Sequence, residues 1–141
     1  MNPVAPPLRD LAERLLAQER DSGNAPNEPA ASRVCGKLGA LLSKLAGAAG
    51  YRSLLSRALS LAQAYAPALK SVHVAPDGVL NGLADAKTAA TSEEFTRGEI
   101  ALVVQLLSLL HTFIGEPLTL QLLKEAWPTI DVRPSTDSQT P

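Results

Sequence analysis

The chain has 141 residues and a mass of 14.8 kDa, with 45% hydrophobic, 19% charged and only 4% aromatic residues and a formal net charge of −1. A chain of this length makes one compact domain with tails and can bury enough surface to fold without disulfides or metals. Leu (24) and Ala (22) far outnumber Val (8) and Ile (3), which argues against a β-sandwich or barrel and for an all-α fold, a compact bundle of four to five helices.

The N-terminal stretch MNPVAPPLRDLAERLL lacks the apolar segment of a signal peptide and carries Arg9, Asp10, Glu13 and Arg14. It reads as a helix. Pro6 or Pro7 suits a first helical position, where the missing N–H would be unpaired anyway. Leu8, Leu11, Leu15 and Leu16 then form one apolar stripe. Residues 1–20 are assigned to this N-terminal helix, and residues 21–29 (DSGNAPNEP) to a linker by composition. Residues 30–130 make the helical core domain.

Within that core a second helix spans about Ala30 to Ala46, with Val34, Cys35, Leu38, Leu41, Leu42 and Leu45 on its apolar arc. Gly47-Ala-Ala-Gly50 breaks it. A third helix starts near Tyr51, faces inward through Leu54, Leu55, Ala58, Leu61, Ala62 and Tyr65, and stops or kinks at Pro67. Val72-His73-Val74 alternates with period two, and Pro76-Asp77-Gly78 supplies turn residues before Val79 and Leu80. A short β-hairpin over 71–81 is the expectation, with an irregular loop as its alternative. Thr91-Ser92-Glu93-Glu94 fits a capping box and opens a fourth helix over 92–114. Gly115-Glu116-Pro117 ends it and opens a last helix over 117–127. The polar residues 131–141 read as a disordered tail.

The longest apolar run, Ile100 to Ile114, is interrupted by Gln105, Ser108, His111 and Thr112. It falls short of the about 20 apolar residues that a membrane span needs and reads as a central core helix. Cys35 is the only cysteine, so no internal disulfide can form. A cytoplasmic protein with no membrane contact is the expectation.

Charge is unevenly placed. Residues 29–76 hold Arg33, Lys37, Lys44, Arg52, Arg57 and Lys70 and no acid, whereas the flanking segments 1–28 and 77–141 are net −2 and −5. Such blocks mark either an anion-binding face or two parts of one fold that attract each other. Arg33, Lys37, Lys44, Arg52 and Arg57 form the candidate basic patch.

Two further features invite a functional reading. Gly36, Gly39, Ala40, Ser43 and Gly47 share one arc of the second helix. Glycine inside a helix costs about 0.5–1 kcal/mol relative to alanine, so close approach of another backbone is the compensation to look for. That neighbour is either a helix of the same chain or a second protein. If the stripe is an interface, Gly39→Leu blocks assembly and leaves a folded chain. His111 falls on the arc of Ile100, Val104 and Leu107, with Glu116 five residues on as a carboxylate partner. It is either a satisfied core histidine or a protonation switch. Gly47-Ala-Ala-Gly50 has the spacing of the GxxG loop in nucleic-acid-binding KH modules, but no strand precedes it and no basic residue lies within it. It reads as a helix connection with a glycine cap.

Recognisable catalytic chemistry is missing. Gly36-Lys37 lacks the other residues of a phosphate-cradling loop, and there is no G-x-S-x-G elbow. Cys35, His73 and His111 offer no metal-ligand pair at helical spacing. No catalytic residue, metal site or cofactor is assigned. The leading expectation is a non-catalytic interaction or regulatory adaptor module that binds a protein partner or a second copy of itself. The alternatives are a nucleic-acid-binding domain using the basic segment 29–76, which the acidic remainder disfavours, and a small-molecule sensor with a pocket near His111.

Overall fold

The structure, a computed structural model, describes residues 5–22, 29–76 and 78–128. The tail assigned to 131–141, most of the 21–29 linker and Asp77 of the hairpin turn lie outside the described residues. Helix α1 (Ala5–Ser22) lays its stripe inward: Leu8, Leu11, Ala12, Leu15 and Leu16 are all buried. Burying four leucines contributes on the order of 1.5–3 kcal/mol each, which is what holds so short a helix in place.

Helix α2 (Ala30–Tyr65) is two helical stretches that meet at a kink at Gly47, whose φ of 80° and ψ of 162° are not helical. Few residues other than glycine adopt that backbone. The sequence reading of two helices meeting at the glycine tract is therefore correct in substance, since the chain reverses at that residue. Val34, Cys35, Leu38 and Leu42 line the buried face before the bend, and Leu55, Ala58, Leu59 and Ala62 after it. Two expected core residues are outside it: Leu45 is 54% exposed and Tyr65 is 72% exposed. Each sits near the end of its helical stretch, beyond the reach of the neighbours that cover the previous turn.

Pro67 ends α2 and starts the 3-10 turn η1 (Pro67–Leu69). Gln63 donates its amide to the carbonyls of Leu69 and Val72, which fixes the turn against the helix. A two-stranded antiparallel hairpin follows, β1 (His73–Val74) and β2 (Leu80–Asn81), with His73 opposite Asn81 and Val74 opposite Leu80. Arg52 reaches from α2 to the carbonyl of Pro76, at 2.7 Å.

Helix α3 (Leu83–Ala89) was not foreseen, because seven residues with only Leu83 and Ala86 buried carry too little periodicity to be read. Helix α4 (Ser92–Ile114) starts at the capping box: the Thr91 hydroxyl accepts the Glu94 N–H, and the Glu94 carboxylate accepts the Thr91 N–H. Gly115, with φ of 88°, separates it from α5 (Glu116–Ala126). The bundle with a short hairpin is the architecture expected from composition and spacing.

Helix α4 is the centre of the bundle and packs on α1, α2 and α5. By length and composition alone it is apolar enough to cross a membrane. Leu102, Leu106, Leu107 and Leu110 are nevertheless fully covered by the chain's own helices, and the core helix of a bundle has the same composition.

Candidate functional site

The first half of α2 and the hairpin enclose an open groove of about 400 Å³. Gly36, Ala40 and Ser43 line it on the helix side, Val79 and Leu80 on the hairpin side, and Tyr51 closes its base. Gly36, Ala40 and Gly47 are exposed and Ser43 is half-buried, whereas Gly39 is buried. The reason is Tyr51. A Cβ placed on Gly39 would lie 2.6 Å from the Tyr51 ring, so the ring occupies the space that a side chain would need. Its hydroxyl donates to the carbonyl of Cys35 at 2.8 Å. Gly39 thus packs against the second half of its own helix, and the Gly39→Leu substitution would strike the fold before any surface. Gly36 has nothing within 4 Å of the place for its Cβ.

Cys35 faces the core beneath this groove. Burial, with the nearby charge of Glu99 adding to it, pushes its thiol up to about 12. Tyr51 is raised as well, by burial first and then by Cys35. Neither group ionises at neutral pH, so neither supplies an anionic nucleophile to the groove.

The basic residues are split between several duties. Arg33 Nε and Lys37 Nζ contact the Glu19 carboxylate at 3.1 and 2.6 Å, and the Trp127 indole N–H donates to the same carboxylate at 2.6 Å. Lys37 also lies 5.6 Å from the centre of the Trp127 ring. Arg52 is the hairpin tether, while Lys44 and Arg57 are exposed. Three of the five candidate cations thus have partners within the fold.

Glu19 is buried at 2% exposure. Burial would raise its carboxyl, but hydrogen bonds from Lys37 and Trp127 and the charges of Lys37 and Arg33 outweigh it and hold the group below its ordinary value. A second buried carboxylate, Glu99, accepts from Arg20 at 3.0 Å and from the Ala31 N–H at 3.0 Å. Glu99 lies beyond the first turn of α4 and takes up one of the free N–H groups at the start of α2, that of Ala31.

These two carboxylates were the residues that sequence reasoning missed, although a signal was present. Glu19 continues the spacing of Leu8, Ala12 and Leu15, and Glu99 falls between Phe95 and Leu102 on the buried face of α4. An acid at a core-facing position demands partners, and the acid-free block supplies them to Glu19.

His111 is half-buried on the flank of α4 and is not at the core face, which runs through Leu102, Val103, Leu106, Leu107 and Leu110. Its Nε2 is buried without a hydrogen-bond partner among the described residues. Glu116 is exposed, and no hydrogen bond or ion pair joins it to His111. Among the described residues, no three His, Cys, Asp or Glu side chains converge as metal ligands. Comparison with protein-family models, with curated proteins and with solved structures gives no significant match to this chain.

Proposed function

We propose that this chain is a small non-catalytic interaction module whose docking face is the groove between α2 and the hairpin, and that its partner there is a second copy of itself. The observation that carries this reading is the pairing of an unfilled groove with short side chains. Gly36, Ala40 and Ser43 leave the α2 backbone approachable along one wall, and the exposed Val79 offers apolar surface on the other. Short side chains on a helix face let another backbone approach closely enough for extensive packing, and apolar surface left beside them is stabilised by a partner that covers it.

The nucleic-acid alternative draws less support from the geometry, because Arg33 and Lys37 neutralise Glu19 and Arg52 is bound to the Pro76 carbonyl, which leaves Lys44 and Arg57 as the exposed cations of the patch. Binding to phosphates needs several cations on one surface.

Size-exclusion chromatography with light scattering tests the proposal. The expected result is twice the 14.8 kDa chain mass, falling to the single-chain mass in Ala40→Glu and Ser43→Glu with the circular dichroism spectrum unchanged. A wild-type chain that stays monomeric at every concentration refutes self-pairing. A dimer indifferent to both substitutions refutes the groove as its interface.

A further inference from the structure

We propose that a second cavity, of about 550 Å³ where the end of α2 meets η1, α3 and the start of α4, binds a small organic anion with a flat apolar body, an aromatic carboxylate in its simplest form. It shares no lining residue with the α2–hairpin groove.

The cavity owes its space to short side chains. Ala66 and Ala86 are buried at its floor, and Ala68 and Ala90 are half-buried around them. Its volume lies in the range of small-ligand sites, about 300–1,000 Å³. Tyr65 stands at the rim and is 72% exposed. That ring contributes little to the core, yet it offers an aromatic face beside an apolar hollow.

Two cations, Lys70 and Arg97, are also among the lining residues. The Lys70 ammonium makes no hydrogen bond or ion pair among the described residues. Arg97 has one contact, 3.5 Å to Glu93, between side chains 64% and 84% exposed. Such a pair contributes little to stability, so neither cation is held by a structural task. Glu94, the acid on the lining, already accepts the Thr91 N–H in the capping box.

This combination selects a ligand class. A neutral aromatic would fill the alanine floor and leave Lys70 without a counter-charge and Arg97 with only its exposed contact to Glu93. A bare inorganic anion would meet the cations and leave the floor open. An aromatic carboxylate satisfies both, with its ring between Tyr65 and the alanines and its carboxylate toward Lys70 and Arg97, where charge-assisted hydrogen bonds form.

The test is calorimetric titration of the full chain with naphthoate, alongside the neutral naphthyl alcohol and inorganic phosphate as controls. Saturable one-to-one binding of naphthoate is expected, with the alcohol and phosphate each weaker by about tenfold or more. Lys70→Gln combined with Arg97→Gln should weaken naphthoate by about tenfold and leave the alcohol unchanged. Methyl spectra of the wild-type chain provide a readout that needs no variant: the resonances of Ala66, Ala86 and Ala90 should shift with naphthoate while Ala40 does not. Absence of saturable binding in the millimolar range overturns the proposal, as does binding that shifts alanines elsewhere or survives the double substitution unchanged.

Discussion

Replacing Glu19 by glutamine removes one negative charge from a site that three donors share. The side chain is 1% exposed and meets Arg33 Nε at 3.1 Å, Lys37 Nζ at 2.6 Å and Trp127 Nε1 at 2.6 Å. Glutamine keeps an amide oxygen for the indole N–H, so that bond can persist. The Arg33 side chain is only 16% exposed and loses the carboxylate that its Nε meets. Lys37 is 46% exposed and can turn its ammonium to water. Removing one partner of a buried pair costs about 3–5 kcal/mol, and relief at Lys37 reduces this to about 2–4 kcal/mol. For a domain of this size that lowers the melting temperature by about 10 °C. Urea unfolding followed by far-UV circular dichroism and by the fluorescence of Trp127, the sole tryptophan, measures it directly. Combining Arg33→Met with Glu19→Gln should cost less than the two single losses added together, because the contact between the two side chains is lost only once. A loss below about 1 kcal/mol, with the two substitutions strictly additive, would refute the reasoning. It would mean that Arg33 and Lys37 are equally well solvated with and without Glu19.

Stability should also depend on pH through the same residue. Its carboxyl lies below the ordinary value of 4.5 in the folded chain, so the unfolded chain binds the proton first as acid is added. The contribution of Glu19 is therefore fully present above about pH 5 and is lost as the pH falls through the folded value. The difference in urea midpoint between wild type and Glu19→Gln should shrink on acidification, and a gap that stays constant from about pH 6 to pH 3 would contradict the assignment. Gly36→Ala should raise stability by about 0.5–1 kcal/mol, since the Cβ meets nothing and helix propensity improves. Gly39→Ala should lower it by about 1–3 kcal/mol through collision with Tyr51; thermal denaturation of the two variants gives opposite signs or the packing account is wrong. Cys35 should resist thiol reagents until the chain unfolds, because its thiol is buried and pushed up to about 12. Labelling at the rate of a free cysteine in native buffer would show the core open.

Wherever one residue type determines local geometry, the fold was legible in the sequence. Thr91 and Glu94 mark the start of α4 because each completes the other's hydrogen bonds within three residues. Gly47 and Gly115 mark a bend and a helix end because both hold positive φ. Contacts that join distant segments were harder to read. Tyr51 filling the space over Gly39, and Arg20 meeting Glu99 across 79 positions, depend on how α1, α2 and α4 stack. Tyr65 and Leu45 were assigned to the core because helical spacing continues past the point where a neighbour is available to cover it. The candidate site followed the same division. Small residues on one arc of α2 were visible, but which of them are open and which are roofed depended on a ring arriving from beyond the bend.

The bond from Trp127 to Glu19 spans 108 positions, and that separation governs the order in which the chain can close. During synthesis α1 emerges before the helices it packs on, carrying an acid that cannot be buried unless cations and an indole donor surround it. The cations of α2 follow soon after, but the indole arrives only when nearly every helix has been made. Until then the Glu19 end of α1 is incompletely satisfied, and long-range closure of this kind slows folding. Although made before α2 to α5, α1 is consequently among the last of these helices to settle. Shortening the chain before residue 127 would loosen its opposite end as surely as cutting α1 itself.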